Sequence, residues 1–182
     1  IAQKLYQGIE IEGETIGLIT YMRTDGTNLS KDAISDFRNY IKNEIGNEYL
    51  PENALNYSGK KAKNAQEAHE AIRPTDIMRT PQSVKKYLSP DQNKLYQLIW
   101  SRSLSSQMES AKFDRNTITI TSDNGDTICK ASGSVLKFDG FLKVYNNQNK
   151  DDDENILPTM TNGLVNIEAL LDEQHFTQPP PR

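Results

Sequence analysis

Between residues 30 and 45 the apolar positions recur at helical spacing, with Ile34, Phe37, Ile41 and Ile45 on one face and mostly polar side chains between them. Ser30 offers a hydroxyl cap and Gly46 a stop, so a helix is predicted from Ser30 to about Ile45. Thr80-Pro81 and Ser89-Pro90 mark two further starts, each a capping hydroxyl before a proline at the first helical position. The helix after Ser89 is expected to run toward Gln107 and to bury Leu95, Leu98, Ile99 and Trp100. Past about Met108 the period shortens to two. Residues 117–121 alternate Thr and Ile, Asp123-Asn124-Gly125-Asp126 is a turn sequence, and residues 127–131 complete a β-hairpin. Further strands are expected at residues 134–138, 141–145 and 164–171. The pattern predicts an α+β chain in two parts, mainly helical over residues 1–107 and β-rich over residues 108–182, with no internal repeat or long low-complexity linker.

One apolar run in the helical part reads as a strand: Gly17-Leu18-Ile19-Thr20-Tyr21-Met22-Arg23-Thr24-Asp25. Side chains alternate along a strand, so Tyr21 and Arg23 are expected on one side and Met22 on the other. That pairs a phenol with a phosphate-binding cation. A free tyrosine ionises near pH 10, so about one in a thousand is charged at neutral pH and the phenol needs help to attack phosphorus. A guanidinium is always charged, and its planar fork of donors matches phosphate oxygens, so Arg23 can orient a phosphate and stabilise charge growing on it. Attack by Tyr21 on a phosphodiester would release a sugar hydroxyl and conserve the bond in a phosphotyrosine, so that resealing needs no nucleotide. Taken alone, Tyr-x-Arg at a strand end is more often a packing tyrosine beside a solvated arginine.

A second segment, Ala65-Gln66-Glu67-Ala68-His69-Glu70-Ala71-Ile72-Arg73-Pro74-Thr75, changes that balance. Together, in order and spacing, the two closely resemble the signatures of the type IA DNA topoisomerases. The resemblance implies that Tyr21 bonds covalently to a DNA 5′-phosphate, that Arg23 grips the scissile phosphate, and that His69 lies near the DNA phosphates at the active site. On chemistry alone His69 is either a donor held protonated by a phosphate or a structural histidine. Arg73 precedes Pro74 and is expected to be extended, which suits reaching DNA or making a surface turn. Lys60, Lys61 and Lys63, near Tyr57 in an acid-free stretch ahead of the second motif, are read as contacts to the DNA backbone. Gly26 stands where the family usually has serine, which removes any hydrogen bond from that side chain. Met22 is similar to the bacterial topoisomerase I branch, because topoisomerase III relatives usually place proline there. A topoisomerase III or reverse-gyrase portion is one alternative, and a noncatalytic DNA-binding module in which Tyr21 merely packs is another. The implied fold is a winged-helix-like, CAP-like tyrosine domain over residues 1–107 joined to part of a β-rich arch over residues 108–182. The implied activity is cleavage of one DNA strand through a 5′-phosphotyrosine, strand passage and resealing, relaxing negative supercoils without ATP.

A net charge of −4 argues against indiscriminate nucleic-acid binding. The acidic excess falls beyond Met108, whereas charges nearly balance up to Gln107, so DNA contact is expected in the first part. Cys129 is the only cysteine and cannot form an internal disulfide, and with His69 and His175 far apart there is no zinc-ligand pattern. In its strand-like run Cys129 is expected to be a buried thiol, and His175 is read as structural. Asp151-Asp152-Asp153-Glu154, among Asn and Lys, reads as a solvated loop rather than a metal site. A P-loop is missing, since Ala54 stands where its first glycine is needed and Lys61 where Ser or Thr is required, so ATP is not implied. The Mg²⁺ that the resemblance implies belongs to a Toprim domain outside this chain. From its Ile1 start and its Pro179-Pro180-Pro181-Arg182 end, the chain is read as a piece of a longer enzyme, inactive by itself. Its expected partners are single-stranded DNA, negatively supercoiled DNA and the rest of the parent polypeptide, including the Toprim and C-terminal domains. No apolar run approaches the roughly 20 residues needed to cross a bilayer, and no signal peptide opens the chain. The expected location is the cytoplasm, at the bacterial nucleoid, without a membrane partner.

Overall fold

Residues 1–57, 70–145 and 162–164 are described by a computed structural model of the chain. Its contacts divide it into two compact units, Ile1–Asp114 with Leu136–Lys150, and Arg115–Val135 with Asp151–Arg182. Helix and sheet are mixed. The first unit opens with a short helix α1 (Ala2–Gln7), followed by strands β1 (Ile9–Ile11) and β2 (Glu14–Ile16). These two strands pair antiparallel with Ile9 opposite Ile16 and Ile11 opposite Glu14. Their turn is made by Glu12 at φ 56° and Gly13 at φ 90°, the doubly left-handed geometry that suits the twist of a two-residue hairpin.

The expected helix after Ser30 forms as α2 (Lys31–Tyr40), and the Ser30 side chain accepts the Ala33 N–H at its start. A π-helical turn, Ile41–Ile45, continues it up to Gly46. Phe37 and Ile41 are buried as the spacing predicts, and Ile45 packs against the core. Thr80 caps α3 (Pro81–Val84). Ser89 caps α4 (Pro90–Ser105) in a reciprocal arrangement, its hydroxyl accepting from the Gln92 N–H while Gln92 Oε1 accepts from the Ser89 N–H. Around α4 the apolar face is rotated from the expectation. Tyr96, Trp100 and Leu104 are its buried apolar residues, Leu95 and Ile99 are only partly buried, and Leu98 is 50% exposed. Tyr96, Trp100 and Ser103 form a four-then-three helical row, and Leu98 falls off it. The core is closed by Leu5, Leu18 and Ile19, Phe37 and Ile41, and Tyr96, Leu104 and Met108.

In the β-rich part, β3 (Lys112–Thr121) and β4 (Ile128–Phe138) pair as one long hairpin. Ile118 and Ile120 are half-buried while Thr117, Thr119 and Thr121 are exposed, as the alternation requires. The two strands expected at residues 127–131 and 134–138 are one continuous strand, because Gly133 is accommodated inside it. The strand expected at residues 141–145 does not form; Gly140–Lys143 is a 3₁₀ turn instead. Gly140 sits at φ 50°, and a Cβ there would lie 2.6 Å from the Glu109 carbonyl oxygen and the Ala111 nitrogen, so the chain turns tightly against residues 109–111. The turn lets Phe141 and Val144, three residues apart, both pack on the core. Cys129 is exposed rather than buried, since it lies on a two-stranded hairpin that the described residues do not cover with another layer. Of the strand expected at residues 164–171 only Leu164 is described, and the acidic run 151–154 and His175 also fall outside the described residues. Among the described residues no helix is long and apolar enough to cross a membrane.

Candidate active site

Gly17 begins the approach to Tyr21. A Cβ at this position would lie 2.6 Å from the Tyr6 carbonyl oxygen, so only glycine lets the chain pass this close to α1. Leu18 then donates its N–H to the Leu5 carbonyl at 2.7 Å. Strand geometry is brief. Ile19 makes a single antiparallel bridge with Pro74, and the chain bends at Met22 and Arg23. The alternation expected for Tyr21, Met22 and Arg23 therefore does not extend to them: Tyr21 is half-buried, Met22 packs on the core and Arg23 is exposed. The Tyr21 ring meets Tyr6 edge-on, with centroids 5.4 Å apart.

The fold brings the two sequence motifs together, and Thr20 is where they lock. Its N–H donates to the Arg73 carbonyl at 2.9 Å, its hydroxyl donates to the Ala71 carbonyl at 2.8 Å, and its Oγ1 accepts the Arg73 N–H at 3.0 Å. Two residues earlier, the Leu18 carbonyl accepts the Thr75 N–H at 3.0 Å, and the Thr75 hydroxyl donates to the Gly17 carbonyl at 2.7 Å. Downstream, Ala71 donates its N–H to the Asn28 carbonyl at 2.8 Å. Tyr21 is thus flanked on both sides by residues bonded to the second motif. After Tyr21 the loop is held locally as well, Gly26 donating its N–H to Thr24 Oγ1 at 2.9 Å.

Arg73 is engaged inside the fold. Its Nε and Nη2 donate to the two Glu70 oxygens at 3.1 and 2.9 Å, and its Nη1 donates to the Pro74 carbonyl at 2.9 Å. Only 16% of its side chain is exposed. Glu70 Oε2 also accepts the Ser30 N–H at 3.2 Å, which ties the second motif to the start of α2, where a carboxylate is favoured by the helix dipole. Neither Glu70 nor Thr20 was singled out from the sequence. A clue to Glu70 was available, since it stands three residues before Arg73, but the role of Thr20 depends on a partner more than fifty residues away. His69, Lys60, Lys61 and Lys63 lie outside the described residues.

Behind the second motif, α4 holds the next loop. Trp100 Nε1 donates to the Ile77 carbonyl at 3.0 Å, and the Tyr96 hydroxyl donates to the Arg79 carbonyl at 2.7 Å. Burial, reinforced by the Asp76 carboxylate, pushes the Tyr96 phenol above its usual ionisation range. Fully buried Gln107 clasps Leu55, its Nε2 donating to the Leu55 carbonyl at 2.8 Å and its Oε1 accepting the Leu55 N–H. The Tyr57 hydroxyl donates to the Ser106 carbonyl, while Thr27 donates to the Tyr57 carbonyl at 2.8 Å. Residues 55–57 are therefore tied to the end of α4 and to the loop that follows Tyr21. Among the described residues, no group of three or more His, Cys, Asp or Glu could hold a metal ion.

A tyrosine and an arginine two residues apart, bonded through their approach segment to a second motif containing Arg73, stand in a chain that belongs to the DNA topoisomerase family, whose model matches residues 1–182. Among the relatives it matches are bacterial proteins named DNA topoisomerase 1. The protein of that name from Rickettsia typhi is 49% identical over 186 residues, an alignment that takes in all of this chain and 24% of the relative. That from Helicobacter pylori is 45% identical over 183 residues, again with all of this chain and 24% of the relative. Full-length topoisomerase I from Thermotoga maritima superposes with a TM-score of 0.72 at 35% identity, covering 88% of this chain and 24% of that one. The chain spans about a quarter of the length of the relatives it matches.

Proposed function

We propose that this chain carries the covalent step of a type IA topoisomerase, with Tyr21 as the nucleophile that cleaves one DNA strand and keeps its 5′-phosphate. The observation that supports this most is the clasp of Thr20 to Arg73 and Ala71, because it sets the tyrosine beside the second motif within a chain of this family. Arg23, exposed next to it, would grip the scissile phosphate and stabilise its developing charge. His69, Lys60, Lys61 and Lys63 are assigned to the DNA backbone, and Arg73 to DNA through the segment that its pairing with Glu70 holds in place. The leaving 3′-hydroxyl would attack the phosphotyrosine to reseal the strand, so the cycle conserves its phosphodiester and uses no ATP. In the parent enzyme the cycle would relax negatively supercoiled DNA in the cytoplasm, at the nucleoid. Mg²⁺ is assigned to a Toprim domain outside this chain. Residues 1–107 would form the winged-helix-like, CAP-like tyrosine domain, and residues 108–182 part of the arch.

Tyr21→Phe in the parent enzyme tests the central assignment. It removes the nucleophilic oxygen while nearly conserving volume, so denaturing gels should show no covalent 5′-linked DNA adduct while the fold is retained. An adduct that persists in this variant would sink the assignment.

A further inference from the structure

Tyr6 lies outside both motifs and well ahead of Tyr21 in the chain, yet the fold returns the approach segment to it. Helix α1 ends at Gly8, whose φ of 130° and tight fit against Thr15 leave no room for a Cβ. The β1–β2 hairpin then folds back, with Ile9 opposite Ile16. Gly17 passes the Tyr6 carbonyl so closely that a Cβ would lie 2.6 Å from it, and Leu18 donates its N–H to the Leu5 carbonyl at 2.7 Å. The backbone at Tyr6 is therefore docked on the segment that leads directly into Tyr21.

Tyr21 itself has little sheet support. The pairing of its strand is a single bridge at Ile19, and the chain bends at Met22 and Arg23. Thr20 fixes the backbone just before Tyr21, but a tyrosine side chain carries two further torsions, and a small rotation near its root sweeps the phenol oxygen through a wide arc. Misplacing a reacting atom by about 1 Å can cost about a hundredfold in rate. The Tyr6 ring meets the Tyr21 ring at 70° with centroids 5.4 Å apart, the edge-to-face geometry that aromatic quadrupoles favour. A pair of this kind favours one ring orientation by about two- to tenfold. Tyr6 is 41% exposed, so shortening its side chain opens no closed cavity in the core.

We propose that Tyr6 is a positioning residue for the covalent step, its ring bracing the Tyr21 ring so that the phenol oxygen is held in line with the scissile phosphate. The inference rests on the reading of Tyr21 as the nucleophile and adds to it a residue that belongs to neither motif. Tyr6 acts through Tyr21, and its own hydroxyl has no part in the reaction.

The test uses the parent enzyme and a single-stranded oligonucleotide. The rate of covalent adduct formation at saturating oligonucleotide is measured beside DNA affinity by fluorescence anisotropy and the unfolding midpoint in urea. Tyr6→Ala should slow adduct formation about two- to tenfold while affinity and midpoint hold. Tyr6→Phe keeps the ring and should restore the rate. Tyr6→Leu keeps apolar bulk without the aromatic edge and should stay slow. That pattern supports the brace, because a packing role would treat Leu and Phe alike and would move the midpoint. A wild-type rate in Tyr6→Ala, equal rates in Tyr6→Leu and Tyr6→Phe, or a loss of rate matched by a loss of affinity or midpoint overturns it. Tyr21→Phe, run alongside, separates the two assignments. If that variant forms no adduct while Tyr6→Ala reacts at the wild-type rate, the brace falls and the nucleophile stands; if it still forms the adduct, both fall.

Discussion

Thr20 stands one residue before Tyr21 and uses its hydroxyl both to accept from the Arg73 N–H and to donate to the Ala71 carbonyl. Thr20→Val keeps the shape and removes both bonds, leaving a backbone donor and acceptor unpaired. About 1–3 kcal/mol of stability should be lost in chemical denaturation, and cleavage by the parent enzyme should fall while Tyr21 remains intact. Arg23 is tested by a graded series. Lysine keeps one charge but not the planar fork and alanine keeps neither, so cleavage rates at saturating oligonucleotide should rank Arg above Lys above Ala. Equal rates would remove Arg23 from the catalytic site. Tyr96 makes a prediction about alkaline pH. Its folded-state ionisation is pushed above the usual value near 10, so the folded protein retains a proton that the unfolded chain loses. Its stabilising contribution is complete below pH 10 and declines as pH rises above it. Tyr96→Phe should therefore be less stable at neutral pH, for want of the bond to the Arg79 carbonyl, but should lose less stability between pH 9 and 11 in urea melts.

At the scale of elements, the helix starts were the most legible feature of the sequence. Ser30, Thr80 and Ser89 each cap the helix that follows, because a capping hydroxyl and an N1 proline act within one turn of chain. Ser89→Ala should cost about 1 kcal/mol, read as a shift in denaturation midpoint. The buried face of α4 was less legible. Leucine is the commonest apolar residue on that helix, yet the core takes Tyr96 and Trp100 because the loop at residues 77–79 offers carbonyls to their polar tips. The strand expected at residues 141–145 fails for a related reason. Its apolar residues have alternation enough for a strand, but the close approach of Gly140 to residues 109–111 forces a turn. Gly17 is the corresponding close approach beside the candidate site. Gly17→Ala would drive a methyl against the Tyr6 carbonyl and should impair both folding and cleavage, whereas Gly13→Ala, with open space around it, should act only through its positive φ.

At the scale of the whole molecule, the chain is a quarter of the length of its relatives. Purified by itself and incubated with supercoiled plasmid and Mg²⁺, it should leave the topoisomer ladder unchanged on agarose gels, while the parent enzyme relaxes the plasmid. Relaxation by this chain at stoichiometric levels, with contaminating enzyme excluded, would show that the catalytic machinery is complete within it.

Local order determined what could be read directly from the residues. Caps, the α2 period, the Thr-Ile alternation of β3 and the two motifs are all properties of neighbouring positions, and the family that the motifs resemble is the family to which the chain belongs. Tertiary structure decided the rest. That Thr20 and Thr75 join the motifs, that Glu70 holds the Arg73 guanidinium, and that Gln107 clasps Leu55 depends on partners brought together from distant positions or on side-chain rotamers, which no periodicity records. The exposure of Cys129 and Leu98 has the same origin, because burial depends on what the rest of the chain places over a residue and not on the residue's own apolar character.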